Sequence, residues 1–192
     1  MGFSITWFAV REEASETFLK SLGLSPTGET EDFPGSLIST AKLDTGWRVI
    51  WYNQYGCPFL RPQDLRRISI DYDVLLCLVE EHVMASSAEM WSGGQRKWWL
   101  SHEGEHGPKG LSTEGELPES FPAIRRDMEQ LQVAEGGDNA EVDYIFEIPL
   151  KVAELLVGFK HDEKCPHLVD KHYIVLSRPV PTGGFVRRLL GR

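Results

Sequence analysis

The stretch HEGEH, residues 102–106, sets two imidazoles four positions apart among carboxylates. On a helix that spacing puts both rings on one face, as a bound metal ion requires. Gly104 and Gly107 favour a turn instead. The stretch therefore reads as a solvated hairpin end, and His102 and His106 are metal candidates of second rank. A denser group, HDEKCPHLVDKH, holds His161, Cys165 and His167. Thiolate and imidazole suit zinc, but ligand pairs at short fixed spacing such as C-x-x-C are missing. That segment reads as a polar connection between a helix and a strand. Neither a metal nor another cofactor is expected.

Other reactive chemistry is thin. The chain has no G-x-S-x-G elbow, no kinase signature set and no phosphate-binding glycine loop. Cys57, in YGCPF, has no neighbour in sequence that would lower its pKa. Glu80, His82 and Met84 share a face if DVLLCLVEEHVM is one strand. Glu80 and His82, together with His102, Glu103, Glu105 and His106, form the alternative reading, an enzyme or metal-binding protein with a dispersed Glu/His site. The balance is against an enzyme.

Recognition chemistry is richer. Trp98 and Trp99 are adjacent, with Arg96 just before them. Neighbours on a strand point to opposite faces, so one ring enters a core and the other leaves it. The outward ring is either covered by a second layer or left for a partner. Trp, Tyr and Arg are the residue types that anchor interfaces, so Trp98, Trp99, Arg96 and Tyr52 are the partner-binding candidates.

Composition narrows the partner. The chain has 192 residues, a formal net charge of −9 and a pI near 5.2. That balance disfavours phosphate backbones, which are held by Lys and Arg, and suits a basic protein. The three cysteines, Cys57, Cys77 and Cys165, are odd in number and widely spaced. A disulfide framework is not expected, and a reducing cytoplasm is. No apolar run reaches the ~18 residues of a membrane helix. Residues 1–13 carry no secretory signal pattern; Gly2 and Thr6 formally match a myristoylation pattern, but an alternating first strand explains them better.

These residues need elements to carry them. Strands are expected at 3–10, on both sides of Leu43-Asp44-Thr45-Gly46, and at 172–179. In the hairpin's second strand Trp47, Val49 and Trp51 share one face, and Arg48, Ile50 and Tyr52 the other. Residues 74–102 read as a β-meander. Helices are expected at 11–22, from Pro122 with Ile124, Met128, Leu131 and Val133 inward, and over IPLKVAELLVGF. Residues 24–36 read as a loop, and GCPFLRPQDLRR as a loop with one helical turn. The sum is a single α+β domain over 1–181, a mostly antiparallel central sheet packed with about three helices, and a basic tail at 182–192. The functional expectation is a cytoplasmic, non-enzymatic protein-binding domain. One concrete form is a bacterial immunity- or antitoxin-like protein that neutralises a basic partner. A homo-oligomer is the third reading; nucleic acid and membrane are not expected partners.

Overall fold

Alternation along each strand divides the apolar residues into two sets, and each set finds its own layer of helices. A computed structural model of the protein describes residues 2–178, apart from the side chains of 108 and 109. The basic tail at 182–192 lies outside the described residues. The elements run β1 (Ser4–Arg11), α1 (Ser15–Ser21), β2 (Ser25–Glu31), β3 (Ile38–Lys42), β4 (Trp47–Tyr52), α2 (Pro62–Ile68), β5 (Val74–Glu80), β6 (Ala85–Ser92), β7 (Gln95–Glu103), β8 (Leu111–Gly115), α3 (Phe121–Ala134), α4 (Glu147–Val157) and β9 (Tyr173–Ser177). The nine strands form one sheet in the order β2-β9-β3-β4-β1-β5-β6-β7-β8. Every neighbouring pair is antiparallel. The architecture is α+β, and the meander runs on through β8 to Gly115.

One face of the sheet carries Trp7, Trp47, Val49, Trp51, Cys77 and Leu100, buried with Phe121 and Met128 of α3 and Ile148 and Val152 of α4. The Phe159 ring stands edge-on to Trp7 at 5.1 Å between centroids, an arrangement aromatic quadrupoles favour. The other face carries Phe8, Val10, Ile50, Leu76 and Trp91, buried with Phe18 and Leu19 of α1 and Leu65 and Ile68 of α2. Thus Trp47, Val49 and Trp51 enter one core while Ile50 and Tyr52 enter the other. Burying such side chains contributes roughly 1.5–3 kcal/mol each, which is why the alternation is obeyed.

Several local expectations change. Residues 25–31 form an edge strand, nearly all exposed. Pro26 and Gly28 make the segment look like a loop, and only pairing with β9 makes it a strand. Pro62–Ile68 is a helix of two turns, opened by a proline and by Asp64, which accepts from the Arg61 amide. The meander strand stops at Glu80: residues 81–83 form a 3₁₀ turn and Met84 takes φ 51°, so Glu80, His82 and Met84 do not line one strand face. On α3 the buried stripe is Phe121, Met128 and Gln132, with Ile124 half-buried. Leu131 and Val133 point outward, Val133 at 75% exposure. The Gln132 amide replaces them by donating to the Gly137 carbonyl and accepting from the Tyr144 amide. All three cysteines are free and buried. Among the described residues no helix is long and apolar enough to cross a membrane.

Candidate functional site

The two sheet faces are not covered equally. α4 packs across β5, β6 and β7 on its side, and Ser86, Ala88, Trp98, Leu100 and His102 are buried beneath it. On the opposite face α1 and α2 cover the core around β1, β4 and β5. α2 also reaches the near end of β6, β7 and β8, where its Pro62 and Arg66 line a recess with Trp91, Arg96 and Glu114. The cross-strand register there aligns Leu78, Ser87, Ser101 and Ser112 in one row, and Leu76, Glu89, Trp99 and Glu114 in the next. Ser87, Ser101 and Trp99 are half-buried, and Ser112 and Glu114 are exposed. The sequence reflects this in part: Trp98 and Leu100 face the helices, whereas Ser87, Glu89, Ser101 and Glu103 face the other way.

Trp99 sits at the centre of that open region. The Arg96 guanidinium lies 5.4 Å from its ring centroid, a cation–π contact. Arg96 also reaches Glu89 at 3.4 Å on one side and the Glu114 carboxylate on the other. Glu89 is buried, and burial pushes its carboxyl above the usual range; the Arg96 guanidinium offsets part of this. Further along the same face Glu80 pairs with His82 at 2.7 Å. The Ser4 hydroxyl, then His82, hold the Glu80 carboxyl below its ordinary value. Tyr55, half exposed, has its phenol pushed up first by partial burial and then by the charges of Glu80 and Glu103. Four glutamates, Glu80, Glu89, Glu103 and Glu114, therefore share this face with Trp99 and Arg96, with Arg66 of α2 beside Glu114.

Glu89 carries a testable consequence. Its folded-state pKa is raised, so ionisation opposes folding: the penalty is absent below the unfolded value of about 4.3 and grows as pH rises through the folded value. Glu89→Gln is expected to leave stability at pH 7 unchanged or raise it by up to about 1 kcal/mol. The gap should close at pH 4. Urea denaturation at both pH values reads it, and a loss confined to pH 7 would mean the Arg96 pair dominates.

The four partner-binding candidates separate. Trp98 is 6% exposed in the α3–α4 core, and Tyr52 is buried against Phe59 with its hydroxyl on Gln54. Only Arg96 and Trp99 share an accessible surface. The metal candidates separate too. His161 is buried and reaches Glu81 at 3.2 Å, Cys165 donates to the Gly158 carbonyl, and His167 pairs with Asp44 at 2.8 Å. Cys165 and His167 line a cavity of about 570 Å³ beside the C-terminal half of α4, but each faces its own partner. HEGEH itself fits the H-E-x-x-H pattern of zinc proteases letter by letter, and that pattern needs a helix to aim both imidazoles at one ion. Here His102 is in a strand, fully buried on the α4 side, with Nε2 2.7 Å from Asp143. His106 is exposed beyond the strand's end, 3.3 Å from Glu103. Glu103, Glu105 and His106 converge, but all three are exposed, and ion pairing among themselves accounts for the geometry.

Two nucleophile arrangements also fail on geometry. Ser39-Thr40-Ala41-Lys42 has S-x-x-K spacing, but on β3 three positions place the two side chains on opposite faces. Ser39 bonds Glu31, and Lys42 lies 3.6 Å from Glu12. Ser86 and His102 are cross-strand neighbours with Asp143 beyond, which resembles a triad. Both are buried, and the Ser86 hydroxyl donates to the Phe146 carbonyl at 2.7 Å. The group pins the start of α4 to the sheet. No family model, curated protein or solved structure matches the chain, so function is read from this chemistry alone.

Proposed function

We propose that the protein is a cytoplasmic, non-enzymatic binding domain that holds a basic protein partner on the open face of β6, β7 and β8. The observation carrying this reading is Trp99, half-buried and braced by Arg96, set among glutamates beside the end of α2. A central aromatic next to arginine concentrates binding energy, and a field of carboxylates steers a cationic partner and rejects acidic ones. The net charge of −9 favours the same partner class. An immunity- or antitoxin-like neutraliser of a basic protein is its concrete form. The free buried cysteines suit a reducing compartment.

The test is affinity capture from the source organism's lysate at about 50 mM and about 500 mM salt, with Trp99→Ala as control. The expected result is one stoichiometric basic protein, weakened at high salt and lost with Trp99→Ala. A partner retained equally by wild type and variant would move the interface elsewhere. The absence of any stoichiometric partner would remove the reading.

A further inference from the structure

The two edges of the sheet are built differently. β2 carries Pro26, a glycine at φ 91° and a register shift against β9 between Pro26 and Thr30. Proline and bulges are the devices that stop a strand edge from recruiting another strand. β8 has no proline and no register shift between Leu111 and Gly115, and its positive-φ glycine, Gly115 at φ 82°, stands only at its last position. It contains no lysine, and keeps register with β7 over all five residues. Among the described residues nothing pairs with its outer side.

Hydrogen-bond alternation says which groups that side offers. The Glu103 amide donates to the Gly110 carbonyl and the Glu116 amide to the Lys97 carbonyl, at 3.2 and 3.1 Å. In an antiparallel ladder every second residue bonds the same neighbour. Ser112 and Glu114 therefore turn their backbone groups toward β7, while Thr113 turns its N–H and C=O outward. The charge around that edge is one-sided: residues 103–119 hold five glutamates and one lysine. A second copy would bring two acidic edges together, and like charges across a strand pair oppose it.

We propose that β8 is a docking edge for an extended, lysine- or arginine-rich segment of a protein partner, which adds a tenth strand through Thr113 and sets basic side chains beside Glu114 and Glu116. Backbone pairing at an edge gives affinity, and alternate side chains give selectivity. The proposal rests on the reading of the chain as a binding protein and names how the partner is held.

The experiment is amide hydrogen exchange by NMR on the full chain, with a nine-residue capped peptide of lysine alternating with threonine and valine. Its counterpart with glutamate for lysine is the control. The lysine peptide is expected to slow exchange at Thr113 at least tenfold, and the glutamate peptide to leave it unchanged. Thr113→Pro removes only an outward N–H, so it should abolish the effect while the circular dichroism spectrum is kept. Should that variant fail to fold, Glu116→Lys with Glu119→Lys, both on exposed positions, should weaken the lysine peptide at least tenfold. Unchanged exchange at Thr113 with saturating lysine peptide overturns the proposal, as does protection that rises with protein concentration alone. A captured partner that needs Trp99 but binds Thr113→Pro as well as wild type overturns the edge and leaves the binding-face reading standing.

Discussion

Trp98→Ala is expected to cost about 3–5 kcal/mol of folding stability, and Trp99→Ala less than about 1.5 kcal/mol. The two residues are adjacent and chemically identical, so the contrast isolates their surroundings. Trp98 belongs to the same buried cluster as Leu100, Phe121 and Met128, and its removal opens a cavity that α3 and the sheet cannot close. Trp99 rests half-buried on the open face under Arg96, so truncation exposes little that was dry. Urea midpoints of the two variants measure the difference. Equal losses would mean that a second layer covers Trp99, and the binding face would go with it.

Asp143→Ala is expected to cost about 2–4 kcal/mol. One carboxylate oxygen meets the fully buried His102 at 2.7 Å; the other accepts from the amides of Ile145 and Phe146 at 3.0 and 3.2 Å. The truncation strands a buried imidazole and frees the amides that lead into α4. The same contacts set a pH dependence. Burial alone would raise the Asp143 pKa, but His102 and the two amides outweigh it and the net shift is downward. A depressed folded value means the stabilisation is present above the unfolded value of about 3.9 and is lost as pH falls through the folded one. Thermal unfolding of wild type and Asp143→Asn should therefore show a stability gap at pH 6 that shrinks toward pH 2. A gap independent of pH would show that shape, not charge, matters at this position.

Elements with strong periodicity were legible in the chain itself. The Trp47-Val49-Trp51 alternation, the Phe18-Leu19-Leu22 stripe and the meander from residue 74 each state their element type and which residues share a face, because a misplaced ring would expose on the order of 200 Å² of apolar surface. β2 was not legible: SPTGETE has no apolar face to bury, and it is a strand only because β9 lies beside it. The outward turn of Leu131 and Val133 was not legible either, since an amide, Gln132, takes the inner position by satisfying backbone groups of the following loop. The placement of His102 was not legible either: HEGEH reads as a solvated end, but His102 is fully buried against Asp143. HEGEH has the letters of a zinc site, but the chain bends from strand to turn within it and sends its two imidazoles to different places.

By itself the sequence determined the α+β class, the acidic balance, the free thiols and the rule that Trp98 and Trp99 must part company, since these follow from composition and from the two-residue period of a strand. Which tryptophan goes inside, which carboxylates gather around the other and which sheet edge stays open were decided by tertiary structure. Those outcomes depend on where α3 and α4 settle and how nine strands order themselves. They are contacts between segments far apart in the chain, and no local pattern encodes them.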